Sequence, residues 1–174
     1  MQCLLDKVTA RHILQGVLKL TEGRDPTDAE LLALDFFTRA HAHGAFLYVV
    51  PQTEKLLRRL ENHPRYNSLI RFFRSHISAA QPTRYFKRWA RRLREYGFTP
   101  EDAGVLALAT FGKGSDPLLL GMHVVVTSDQ PMIHRWTAQQ DAIEKRLANM
   151  RKNLRKPYRD ASLPTIGHPE EILI

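Results

Sequence analysis

Cysteine is almost missing from this chain: Cys3 is the single one among 174 residues. An intrachain disulfide is excluded, and a reducing, cytoplasmic setting is expected. Leu4 and Leu5 beside it make Cys3 a buried strand residue rather than a nucleophile. No apolar run approaches the roughly 20 residues needed to span a bilayer, so no membrane segment is expected. Asp6 follows within one short strand of Met1, which argues against a secretory leader at this start. A Gly-rich phosphate loop is missing too, and Ser128 lacks a His–Asp partnership that would make it a nucleophile. His41-x-His43 falls at a helix end where the two rings point different ways, and His123 and His134 stand as structural residues, so no histidine metal site is expected.

Acidic residues are also in deficit, with 18 Asp and Glu against 26 Lys and Arg and a net charge of +8. Such an excess favours a polyanionic partner, either nucleic acid or an acidic protein segment. With 43% hydrophobic residues, the chain can bury one proper core, and a single domain over 1–174 is the default.

Along the chain, short apolar runs alternate with helical patterns. Met1 to Leu5 reads as a buried strand ending at Asp6, followed by a helix carrying Ile13, Leu14, Val17 and Leu18 on one face. After the break at Gly23, Asp25 and Pro26, Thr27-x-x-Glu30 forms a capping box for a second helix reaching about Gly44. Ala45 to Val50 is an unbroken apolar strand of the kind a parallel sheet covers on both faces. Pro51 ends it, and a helix resumes with Glu54 near its start. Pro64 opens another helix, and His76 to Ala79 is a short third strand. Pro82 to Tyr96 is expected as a strongly amphipathic helix, with Tyr85, Phe86, Trp89 and Leu93 toward the core and Arg84, Lys87, Arg88, Arg91, Arg92 and Arg94 outward. Thr99 caps the next helix, Pro100 suits its first position, and Glu101 and Asp102 fall in its first turn ahead of a small, apolar remainder.

Gly112, Gly114 and Pro117 mark a loop, and His123 to Val126 a further strand running into Thr127-Ser128-Asp129. A basic helical insertion is expected at about 139–158, then a last strand at Ser162 to Ile166 and a short helix at Pro169 to Leu173. Strands alternating with helices in this way predict an α/β, three-layer domain with a central parallel sheet flanked by helices.

Four acids occupy the ends of these elements. Asp6 and Asp129 each follow an apolar strand, while Glu54 and Asp102 each lie in the first turn of a helix. In an open parallel sheet these positions share the carboxyl edge, where ligands bind. Four carboxylates converging there would need a cation, and an oxygen-only donor set suits Mg²⁺ or Mn²⁺. Each acid also has a purely structural role open to it: ending a strand, meeting a helix dipole, capping a turn. For Asp102 that role is a capping arrangement reaching back to the Thr99 amide.

These residues resemble the PIN domain family: Leu4-Leu5-Asp6, Glu54 within Pro51-Gln-Thr-Glu-Lys-Leu-Leu, Glu101-Asp102-Ala103 ahead of Leu106-Ala107-Leu108-Ala109, and Val125-Val126-Thr127-Ser128-Asp129. A closing segment from Leu163 through Leu173 is similar as well, so the resemblance spans nearly the whole chain. It implies a PIN-like fold and a Mg²⁺- or Mn²⁺-dependent endoribonuclease, often the toxin of a toxin–antitoxin pair. By the same carry-over Asp6, Glu54, Asp102 and Asp129 are the catalytic, metal-binding acids, with Thr127 and Ser128 supporting them. RNA and an antitoxin protein are the implied partners, and homodimerisation is open. Two features depart from the family pattern. Lys7 and Val8 follow Asp6 where Thr or Ser and then Asn are usual, and the basic segment is additional. Lys7 could contact a substrate phosphate or weaken metal binding by like-charge repulsion.

The basic residues carry a second expectation. Arg88, Arg91 and Arg92, with Lys152 and Arg155 and with Lys7 at the edge, are candidates to hold RNA phosphates. The alternative function is a non-catalytic PIN-like module binding RNA or a protein partner through those surfaces. A receiver-like regulatory domain would also place acids at strand ends, but the order of motifs fits it poorly.

Overall fold

The central strand of the sheet is β1 (Gln2–Leu5), buried at every residue. In the computed structural model, which describes residues 1–114 and 120–174, it is followed by α1 (Lys7–Thr21), α2 (Asp28–Ala42) and β2 (Phe46–Val49). Then come α3 (Pro51–Glu61), α4 (Asn67–His76), β3 (Ile77–Ala79), β4 (Gln81–Pro82), α5 (Phe86–Arg94) and α6 (Pro100–Phe111). The chain continues through β5 (Gly112–Lys113), β6 (Val124–Val126), α7 (Gln130–Arg151), a 3-10 turn at Tyr158–Asp160 and β7 (Thr165–Gly167). The loop expected around Pro117 lies outside the described residues.

Five strands form one parallel sheet in the order β3-β2-β1-β6-β7, with Leu4 in register with Tyr48 on one side and Val125 on the other. Alternate residues point to opposite faces. Cys3, Leu5, Leu47, Val49, Val124 and Val126 pack on the side of α1, α2 and α4, while Leu4, Tyr48 and Val125 meet α5, α6 and α7. The result is three layers, α/β/α, as the alternating pattern requires. Strands buried on both faces explain why the apolar runs are unbroken. Among the described residues no helix is long and apolar enough to cross a membrane.

The N-terminal signals act as expected in several places. Thr27 and Glu30 form a complete capping box at α2, and Thr99 accepts from the Asp102 amide at 3.1 Å to start α6. From Val105 to Phe111, α6 is buried on every side. It packs against α5, where the Trp89 indole donates to Thr110 Oγ1 at 3.2 Å. Gly97 takes a φ of 84°, a left-handed conformation that turns the chain from α5 toward α6.

Four boundaries differ from the sequence pattern, each for a physical reason. The amphipathic helix begins at Phe86 rather than Pro82, because Gln81 and Pro82 pair antiparallel with Gly112 and Lys113. The helix after Pro64 begins only at Asn67, once His63 to Tyr66 have made a turn. The basic segment is no separate insertion up to Arg151: those residues continue α7, a single helix of 22 residues capped by Asp129. The last strand is Thr165–Gly167, and Pro169 to Glu171 form a turn instead of opening a helix. There the Arg39 guanidinium from α2 donates to Pro169 O at 3.0 Å and to Ile172 O at 2.9 Å, claiming carbonyls a helix would use.

Candidate functional site

The carboxyl edge of the sheet gathers Asp6 after β1 and Thr127, Ser128 and Asp129 after β6. The Asp6 amide donates to Val126 O at 3.1 Å, extending the ladder by one rung and holding the two strand ends side by side. Asp6 caps α1: its Oδ1 accepts from the Thr9 amide at 2.6 Å, and its Oδ2 accepts from Thr127 Oγ1, also at 2.6 Å. Thr127, itself fully buried, accepts in turn from the Asp129 amide at 3.0 Å. The Asp129 carboxylate closes the sequence by capping α7 through the Met132 amide at 3.0 Å. The hydroxyl of Thr127 thus uses its donor toward one acid and its acceptor toward the backbone of the other, a role no apolar residue could fill.

Asp6 is 7% exposed. Burial pushes its carboxyl above the ordinary aspartate value, hydrogen bonds from Thr127 and Thr9 partly offset this, and the charge of Asp129 adds to the rise. A carboxyl in that position is costly to ionise without a compensating positive charge.

Glu54 is not brought to this pair. Pro51 opens α3 directly after β2, as expected, but the Glu54 carboxylate pairs with Arg58 one turn on and with Arg74 of α4 at 3.5 Å. Arg74 also pairs with Glu61. Successive residues of a helix point about 100° apart, so Thr53 and Leu56 face the cleft beside the edge while Glu54 faces α4. The two guanidiniums hold the carboxylate there.

Asp102 is half-buried in the first turn of α6. Only half of the expected capping arrangement forms: Thr99 accepts from the Asp102 amide, but among the described residues the Asp102 carboxylate has no hydrogen bond or ion pair. Its neighbour Glu101 meets Lys7 at 3.4 Å, an ion pair with both side chains more than half exposed. Lys7 therefore points away from Asp6 toward α6. Among the described residues no three His, Cys, Asp or Glu side chains stand close enough together to hold a metal ion. The four-acid convergence expected from the sequence is, among the described residues, a two-acid nucleus of Asp6 and Asp129, to which neither Glu54 nor Asp102 is joined.

A divalent cation can be tested against that donor set. Asp6, Asp129 and the hydroxyls of Thr127 and Ser128 are hard oxygen donors, the type Mg²⁺ and Mn²⁺ prefer. Asp6 carries the unfavourable buried charge a cation would relieve. The donor types suit such an ion, but Thr127 Oγ1 is already engaged by Asp6 and the Asp129 amide, and Glu54 does not take part.

Beside the edge lies a cleft of about 550 Å³ between the starts of α3 and α6, walled by Val50, Pro51, Leu56, Phe86, Val105 and Leu108. Lys7 and Glu101 stand on its margin, and Thr53 contributes a buried hydroxyl with no hydrogen-bond partner among the described residues. The basic candidates divide. Arg88 and Arg92 line a second cavity, between α5 and α7, while Arg91, Lys152 and Arg155 are exposed and line neither cavity. Arg146, which that second cavity also includes, was only one cation of a basic run, and Thr53 carried no sequence signal at all. Trp89 is core, as its helical spacing implies, whereas Tyr85 and Phe86 are half-buried at cavity walls.

Comparison with protein-family models, with curated proteins and with solved structures finds no match to this chain.

Proposed function

We propose that this protein is a PIN-like, metal-dependent endoribonuclease that hydrolyses RNA phosphodiester bonds in the cytoplasm. One observation carries the reading: Asp6 and Asp129, joined through Thr127, meet at the carboxyl edge of a parallel sheet beside an open cleft. Asp6, Asp129 and the hydroxyls of Thr127 and Ser128 would hold Mg²⁺ or Mn²⁺, and Asp102, whose carboxylate is unpaired among the described residues, would join them. Such an ion, when bound, lowers the pKa of a coordinated water and neutralises charge on a phosphodiester.

The chain's own residues supply orientation. Thr127 and the Thr9 amide fix the plane of the Asp6 carboxylate, and the α7 cap fixes Asp129. Lys7, released from Glu101, would meet a substrate phosphate at the margin of the cleft, and basic side chains would position the RNA backbone. A toxin role with a small antitoxin partner belongs to the same proposal.

Purified protein with Mn²⁺ should cleave single-stranded RNA, and Asp6→Asn should reduce the rate about 100-fold or more. Equal cleavage by the variant and the wild type overturns the reading.

The engagement of Glu54 by Arg58 and Arg74 favours a second reading, a non-catalytic module that binds RNA or a protein without metal. Calorimetric titration separates the two, because the enzyme must take up Mn²⁺ at the Asp6–Asp129 edge and the module need not.

A further inference from the structure

Away from the acidic edge, α5 and the last turns of α7 enclose a cavity of about 350 Å³. Arg88 and Arg92 enter it from α5, Arg146 from α7, and Asn149 and Asn153 stand along the α7 side. Trp89, Met150 and Leu154 form an apolar floor, and Tyr85 closes one end. Three guanidiniums in one concave site are an unusual concentration, since like charges repel unless an anion lies between them. Two of the three are already engaged by an anion of the fold, Glu95, which does not itself line the cavity. The Glu95 carboxylate accepts from Arg92 Nη1 at 2.9 Å and from Arg146 Nη2 at 3.1 Å, bridging the two helices. Arg88 has no ion-pair partner among the described residues.

We propose that this cavity binds a nucleotide unit of single-stranded RNA, with the guanidiniums of Arg88, Arg92 and Arg146 on its phosphate. Arg92 and Arg146 can share one oxyanion, as their bridging by Glu95 shows, and a phosphate in the cavity would compete with that carboxylate for them. Planar guanidinium forks match phosphate oxygens as they match carboxylates. The amides of Asn149 and Asn153 offer both donors and acceptors, which a base edge can use together, whereas an ionised acidic side chain can use only the donors. Arg146 lies 17 residues beyond Asp129 along α7, so the cavity is separated from the acidic edge by about 26 Å of helix. It is a place to hold the strand, not to cut it. The inference rests on the reading of this chain as an RNA-handling protein and is independent of the metal chemistry.

The test is binding without catalysis. The full chain, in EDTA, is titrated against a labelled single-stranded RNA of about 12 nucleotides, a length within the site sizes of single-strand grooves. Arg88→Gln and Arg146→Gln should each weaken binding roughly tenfold and lower the slope of log affinity against log salt by about 0.7 per lost phosphate contact. Arg59→Gln, which removes the same charge from an exposed site on α3, should change affinity less than about twofold. Glu95→Gln should strengthen binding, because it releases two guanidiniums. Inorganic phosphate and a mononucleotide as competitors distinguish a phosphate site from one that also reads the base.

Equal losses for Arg59→Gln and Arg146→Gln would overturn the proposal by showing diffuse electrostatics. Weaker binding in Glu95→Gln would overturn it too, as would a poly-glutamate peptide that competes as well as the RNA. Because EDTA removes divalent ions, failure here leaves the nuclease proposal standing, and loss of cleavage in Asp6→Asn leaves this one standing.

Discussion

Asp6 and Glu54 both lie on segments leaving neighbouring parallel strands, Asp6 directly after β1 and Glu54 in the first turn of α3, and they are held in opposite ways. Asp6 is enclosed: a backbone amide and a buried hydroxyl take its two oxygens, and among the described residues no cation pairs with it. Glu54 is surrounded by cations, with Arg58 on its own helix and Arg74 on the next. The first arrangement is rigid and under-compensated in charge, while the second is compensated and near the surface. Position at a sheet edge therefore does not assign chemistry to an acid; the neighbouring donor does. Where the donor is neutral, the carboxylate keeps its demand for a cation. Where it is a guanidinium, that demand is already met.

This difference can be broken experimentally. The largest effect is expected for Asp129→Asn, which should cut Mn²⁺-dependent RNA cleavage about 100-fold or more, whereas Glu54→Gln should leave the rate within about twofold. A loss in Glu54→Gln as large as that in Asp129→Asn would show that Glu54 turns to the edge when metal arrives. Next comes Thr127→Val, which keeps the shape and removes the hydroxyl. It leaves an Asp6 oxygen and the Asp129 amide without partners, and unfolding by urea should show a loss of about 1–3 kcal/mol.

Arg74→Ala is the converse. Arg74 is partly exposed, so stability should fall by less than about 1 kcal/mol. Glu54, then held by Arg58 alone, should tighten Mn²⁺ binding as measured by calorimetry; unchanged affinity would mean that Arg58 or helix geometry, not Arg74, keeps Glu54 away.

The smallest effect concerns Cys3, three residues before Asp6 on the same strand. Burial pushes its thiol up to about 11, so at pH 8 iodoacetamide should leave folded protein unlabelled and react only after denaturation. Rapid labelling of native protein would show that β1 is less enclosed than the cost of ionising Asp6 requires.

What the sequence discloses follows the range of the interactions involved. β1, β2 and β6 are legible because burial on both faces demands unbroken apolar residues, and the starts of α2 and α6 are legible because their caps lie three residues apart. The same local logic places Asp6 and Asp129 at strand ends. The structural roles open to them were ending a strand for Asp6 and capping a turn for Asp129; that each caps the following helix was not among them, and the structure shows that a carboxylate can cap and still face a neighbouring acid. Glu54 was illegible for the opposite reason: Arg74 lies 20 residues on, in another helix, and nothing near Glu54 announces it. The turn after Pro169 depends likewise on Arg39, 130 residues earlier in the chain.

That last contact has a consequence for how the protein comes to be made. Ile172 is 5% exposed and packs in the same cluster as Cys3, Leu5 and Phe36, and the Arg39 clamp is what seats it. During synthesis the hydrophobic face formed by β1, α1 and α2 must wait, incompletely sealed, until residue 172 has cleared the ribosome. A nascent chain arrested short of that point would carry an open seam, and chaperones would find it there.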